Sequence, residues 1–149
     1  MEKLFKKNGP VFVGVIVLVL LSSGCTNTNK TATAQKLVKD YYAAYEKKDW
    51  HILEKILADS FTFTSPAGDD RIDIKTYKER CWPNALKTKK FDLELVFADE
   101  NNALVTYNGW TTDGKLFRNT ERFKFKDGKI LSNECFFGNG VNFPNNTEK

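Results

Sequence analysis

The 149-residue sequence predicts an α+β fold, with N-terminal helices packed on one face of a curved antiparallel sheet. Three observations carry the prediction. Apolar residues recur at helical spacing in the first half of the chain, they alternate with period two in the second, and the helical runs precede the strand runs. The length suits one domain. With 41% apolar residues and three Cys, the chain is neither disordered nor built on a disulfide framework.

Ala34, Leu37, Val38, Tyr41, Tyr42, Ala44 and Tyr45 follow the i, i+3, i+4, i+7 pattern of an amphipathic helix over 34–48. Asp49 is placed to cap a second helix, whose buried face is Trp50, Ile52, Leu53, Ile56 and Leu57. The join is so short that the two helices meet at a sharp corner. Phe61-Thr62-Phe63-Thr64-Ser65 alternates as a strand, and Pro66 to Asp70 ends it in a turn. A third helix spans 73–81, and Pro83 closes it. Four strands complete the domain: Phe91 to Phe97, Ala103 to Trp110, Leu116 to Lys126 and Lys129 to Phe137. Asn101-Asn102, Asp113-Gly114 and Asp127-Gly128 turn between them.

The N-terminus reads as an export segment over 1–24, with Lys3, Lys6 and Lys7 ahead of an apolar run from Val11 to Leu21. That run is short for a bilayer span. Ser22-Ser23-Gly24-Cys25 resembles a bacterial lipobox, although Leu21 stands one residue further from the Cys than in its commonest form. The resemblance implies lipidation of Cys25, a polar tether over 25–33 and a domain held at a membrane outside the cytoplasm. Thr26 in place of Asp points to the outer membrane if the host is Gram-negative. Residues 1–24 carry those three Lys against Glu2, so the formal charge of +4 falls to +2 without them. The remaining Lys are scattered without interleaved aromatics, and nucleic acid is not an expected partner. Residues 34–138 are the expected folded domain, and 139–149 a flexible tail.

Tyr41-Tyr42-Ala-Ala-Tyr-Glu-Lys-Lys-Asp-Trp50, Leu57-Ala-Asp-Ser-Phe-Thr-Phe-Thr-Ser-Pro66 and Phe123-Lys-Phe-Lys-Asp-Gly-Lys-Ile130 resemble the SnoaL-like branch of the nuclear transport factor 2-like superfamily. The likeness implies a cone-shaped fold around an apolar pocket, in which some members catalyse and others only bind or dimerise. The related ketosteroid isomerases carry an Asp base before Pro-x-Gly, and the matching position is Ser65. A Ser hydroxyl is too weak a base to take a carbon-bound proton, which counts against that reaction. By the same likeness, the oxyanion-binding Tyr falls on Tyr41 and its partner acid on Glu121. Periodicity independently places Glu121 on one strand face with Phe117, Asn119, Phe123 and Phe125. An acid among three Phe is expected to point inward and to have a raised pKa; the bland alternative is an ion pair at the cone's mouth.

Tyr45, Phe61, Phe63 and Tyr77 are further candidates to line the pocket, as are Trp82, Phe97 and Phe123. Cys81 and Cys135 either form a disulfide or stand as small buried hydrophobes. His51, the sole histidine, reads as a surface residue near a helix cap, and with scattered acids it offers no metal-ligand spacing. No metal or other cofactor is expected. The leading expectation is a lipid-anchored domain that binds a small apolar ligand. The alternatives are an isomerase, cyclase or hydratase using Glu121 and Tyr41 on a small carbonyl compound, or a homodimeric accessory module.

Overall fold

The computed structural model describes residues 24–137, with side chains from Thr28 onward. The export-like segment before Gly24, the side chain of Cys25 and the tail from 138 lie outside the described residues. Helix α1 spans Gly24–Lys47, so it begins well before the expected Ala34 and includes the stretch read as a polar tether. No Pro or Gly interrupts that stretch after Gly24, and Lys30 Nζ ties it to Glu100 Oε2 at 3.1 Å. The buried stripe is the expected one, from Ala34 through Val38 and Tyr41 to Tyr45. Lys48 then takes a positive φ of 57°, and Asp49 caps α2 (Trp50–Ile56) by accepting from His51 N at 3.0 Å. This is the sharp corner the short join requires.

After α2 come β1 (Leu57–Ser65), β2 (Asp69–Asp73), α3 (Ile74–Arg80), a 3-10 helix (Trp82–Lys87) and four strands. Those strands are β3 (Thr88–Ala98), β4 (Asn102–Thr111), β5 (Leu116–Lys126) and β6 (Lys129–Phe136). They form one six-stranded sheet of order β2-β1-β6-β5-β4-β3. The fold is α+β as expected, but the sheet is mixed. The β1–β6 pair is parallel, because β1 joins the meander beside its last strand rather than through a hairpin.

Two expectations about local structure need correction. Asp69 and Asp70, read as the end of the turn after the first strand, instead begin the edge strand β2, which pairs antiparallel with β1. Its residues are poor strand formers and only Ile72 is apolar, so pairing with β1 and not propensity sets its conformation. In β3 the alternation of Phe91, Leu93, Leu95 and Phe97 with Asp92, Glu94 and Val96 would put all four on one face. The register with β4 shifts between Leu93 and Leu95, which exchanges the two faces. Phe91 and Leu93 therefore pack inward with Val96 and Ala98, whereas Leu95 and Phe97 face outward, Phe97 with 71% of its surface exposed. Phe97 is not a pocket residue.

The core between α1 and the sheet is apolar. Val38, Val105, Phe123 and Ile130 are fully buried there, and each such side chain contributes about 1.5–3 kcal/mol by leaving water. Toward the C-terminal half of α1 the two layers part, and the interior opens.

Candidate functional site

A cavity of about 270 Å³ lies between the C-terminal half of α1 and the inner face of β3, β4 and β5. All five tyrosines of the chain line it: Tyr41, Tyr42, Tyr45, Tyr77 and Tyr107. Phe63, Phe91 and Phe117 complete the aromatic wall. Phe117 sits there because it faces Gly109 across the β4–β5 ladder. A Cβ on Gly109 would come within 2.2 Å of the Phe117 ring, so the glycine provides the space that the ring occupies.

Glu121 forms the polar floor. Three elements supply its partners: Tyr107 of β4 donates to Oε1 at 2.8 Å, while Tyr42 of α1 at 3.1 Å and Asn133 Nδ2 of β6 at 2.9 Å donate to Oε2. Tyr107 and Asn133 are diagonal neighbours of Glu121 on the adjacent strands, within reach of long side chains. Burial pushes the Glu121 carboxyl above the usual range, and the three donors offset that only in part. No cation pairs with it among the described residues. Glu121 is buried inside the cone as its spacing indicates, and it makes no ion pair among the described residues.

A second polar centre is made of hydroxyls alone. Tyr77 of α3 joins Tyr41 and Tyr45, the latter at 2.5 Å. Burial pushes the ionisation of all three phenols well above its ordinary range, so they act as neutral donors and acceptors. Tyr77 thus stands at the centre of a cluster of three hydroxyls, each able to donate and to accept. Tyr41 and Glu121 thus line the same cavity, as expected, but belong to separate centres. The residues that hold Glu121 directly, Tyr42, Tyr107 and Asn133, were not expected in that role. Tyr42 adjoins Tyr41 on the same buried stripe, and Tyr107 follows Ala103 and Val105 on the inward face of β4. Their proximity was legible, whereas their hydrogen bonds needed the β4–β5 register.

The other candidates divide clearly. Tyr45, Phe63 and Tyr77 line the cavity; Phe61, Trp82 and Phe123 do not. Phe61 packs on Tyr77 and Phe123 on Tyr41 within the core, and Trp82, half-buried, packs between Tyr45 and Trp50. Ser65 does not line the cavity either. Its Oγ donates to Asp69 Oδ2 at 2.6 Å and accepts from Ala67 N at 3.2 Å, closing the β1–β2 turn. Asp69 Oδ1 in turn lies 2.9 Å from Arg80 Nη2, which ties the end of α3 to β2. Cys81 and Cys135 stand as free thiols, not a disulfide. Cys135 lies in the cavity wall, where burial pushes its thiol up and away from nucleophilic use. His51 is exposed, 2.9 Å from Glu54 on its own helix. No cluster of His, Cys, Asp and Glu able to hold a metal is found among the described residues.

An α+β cone with a buried acid on the floor of a ligand-sized space defines a class of small-molecule cavity folds. The chain belongs to the SnoaL-like domain family, which it matches over residues 38–133. No curated protein matches the sequence. Among solved structures, it is similar to a candidate ketosteroid isomerase from Kribbella flavida, with a TM-score of 0.64 and 17% identity over 76% of this chain and 83% of that one. It is also similar to an LEH-like epoxide hydrolase from M. tuberculosis, with a TM-score of 0.61 and 16% identity over 73% and 85% of the two chains. A candidate polyketide cyclase from Sinorhizobium meliloti gives a TM-score of 0.57 and 22% identity over 68% and 94%. At such identities the likeness establishes the fold and not the reaction.

Proposed function

We propose that this domain binds a small, mainly apolar ring compound bearing a carbonyl or hydroxyl oxygen. The observation that carries the reading is the open aromatic cavity with Glu121, its pKa raised, on the floor. The aromatic wall supplies apolar contact, and the two polar centres orient the oxygen. A second reading, catalysis of proton transfer on a carbonyl compound, is favoured by the neutral Tyr41–Tyr77–Tyr45 hydroxyl cluster in the same cavity as Glu121. A hydroxyl of that cluster would stabilise an enolate oxygen while the Glu121 carboxylate takes a proton from the α-carbon and returns it.

One experiment addresses both readings. The bicyclic ketone 2-tetralone is incubated with the purified chain in D₂O, with melting temperature reporting binding and α-deuterium uptake reporting turnover. Binding should raise the melting temperature, and Glu121→Gln should reduce the rise. Accelerated deuterium uptake that Glu121→Gln removes would establish the enzyme. A flat melting temperature across small cyclic ketones and phenols would sink the binding reading.

We place the domain at a membrane through a lipid on Cys25, because the lipobox-like residues lead directly into α1. A 24-residue helix is about 36 Å long. The cavity lies along its C-terminal half, so the mouth would open away from the anchoring membrane. Acyl labelling should disappear in Cys25→Ser, and persistence of the label would refute the anchor. The outer face of the sheet fits a second copy of the chain. Leu95, Phe97, Leu104 and Phe136 are exposed on it, with Arg122 and Glu134 supplying both charge signs beside them. Sedimentation should show a dimer that Phe97→Lys dissociates; a monomer at all concentrations would refute it.

A further inference from the structure

The polar groups of the cavity are sorted by charge along its depth. At the floor, Glu121 meets only neutral donors, and the cations of its own strand point elsewhere. Arg118 bonds Asn108 and pairs with Glu94, Arg122 bonds Asn102, and Lys124 lies 3.8 Å from Glu134. An anionic group at the floor would be buried beside an acid without a counter-charge, which is strongly unfavourable.

The mouth is the opposite. Lys87 is the one cation among the described lining residues, and no carboxylate pairs with it among the described residues. Three other lysines are committed elsewhere: Lys48 Nζ to the carbonyls of Glu46 and Thr88, Lys90 over the Trp110 ring at 4.2 Å, and Lys115 to Asp113 at 3.1 Å. The nearby acid Asp113 is held by that lysine and by Thr111. Asn84 also lines the mouth. It stands three residues before Lys87 on the 3-10 helix, where side chains at that spacing eclipse and project together. The helix thus presents an ammonium and an amide side by side, a pair of donors suited to the two oxygens of a carboxylate.

We propose that the ligand of this cavity is an amphipathic monoanion: an aromatic or alicyclic carboxylic acid. Its rings enter among the tyrosines, and its carboxylate stays at Lys87 and Asn84. The proposal rests on the ligand-binding reading above and adds the chemical class. A sphere of the cavity's volume is about 8 Å across, which accommodates a fused two-ring system with its acid group at the rim.

The test compares 6-hydroxy-2-naphthoic acid with its methyl ester by titration calorimetry on the purified chain. The two share rings and hydroxyl and differ in charge. The acid should bind about 5- to 10-fold more tightly at low salt, as expected for a charge-assisted hydrogen bond near solvent. Lys87→Met should erase that preference, and Asn84→Ala should reduce it in part. Equal affinities for acid and ester in the unaltered chain would overturn the proposal while leaving the ligand-binding reading intact. A preference for the acid that survives Lys87→Met would overturn it as well. Failure of the folded chain to bind either compound would remove the ligand-binding reading and this proposal with it.

Discussion

Tyr77→Phe should destabilise the domain by about 2–4 kcal/mol, lowering the melting temperature by about 10 °C or more. Tyr77 is fully buried against Phe61, Phe63 and Trp50, and removing its hydroxyl creates no cavity of consequence. The cost arises from what it abandons. Tyr41 and Tyr45 both hydrogen-bond the Tyr77 hydroxyl, so one substitution takes a partner from each. Tyr41→Phe or Tyr45→Phe strands nothing, since Tyr77 keeps its other partner, and each should cost about 1 kcal/mol. The sharper expectation concerns combinations. In the Tyr77→Phe background, changing Tyr41 and Tyr45 to Phe should recover part of the loss, because both hydroxyls that lost a partner are removed. Equal losses from the three single substitutions would show instead that cavity water satisfies the hydroxyls. Thermal and urea melts of the single and triple variants distinguish these outcomes.

The second large effect is the dependence of stability on pH at Glu121. Burial raises its folded-state pKa above the ordinary glutamate value near 4.5, so the folded chain holds this proton more tightly than the unfolded chain does. The stabilisation from that proton is full below the unfolded pKa. It is lost progressively as pH rises through the folded one, at up to about 1.4 kcal/mol per pH unit within the window. Glu121→Gln has no such titration and keeps a carbonyl for the donors Tyr42 and Asn133. The variant should therefore gain on the unaltered chain as pH rises above about 4.5, most steeply just above that point. Melts from pH 4 to pH 8 read this directly. Parallel profiles for the two chains would mean that Glu121 titrates normally, and the floor of the cavity would then be more polar than its surroundings indicate. Glu121→Ala should be worse than either at every pH, because it leaves the Tyr42, Tyr107 and Asn133 donors without their shared acceptor.

The legible parts of the fold were those with sustained apolar periodicity. The stripe from Ala34 to Tyr45, the capped helix after Asp49 and the inward row Phe117, Asn119, Glu121, Phe123 and Phe125 all occupy the faces their spacing indicates. Burial on one side enforces that spacing, so the pattern and the packing carry the same information. β2 was not legible, since its polar residues take strand geometry only because β1 offers a free edge. The outward position of Phe97 was not legible either. A single shift of register near Glu94 reverses every later side chain of β3, and nothing in the alternation from Phe91 to Phe97 marks it. Ser65 stood at the position that the isomerase resemblance assigns to a base, yet its local partner Asp69 turns it into a turn lock.

What the sequence by itself determined is the α+β class, the packed faces of the helices and strands, and the inward orientation of a single acid among phenylalanines. Only the tertiary structure decided that the cone is hollow, that all five tyrosines meet in the hollow, and that they divide between Glu121 and a hydroxyl cluster of their own. The reason is physical. Periodicity reports which side chains leave water, a property of one segment at a time. Whether they meet one another or enclose a space depends on register, bulges and the angle between helix and sheet, which arise only when the segments pack.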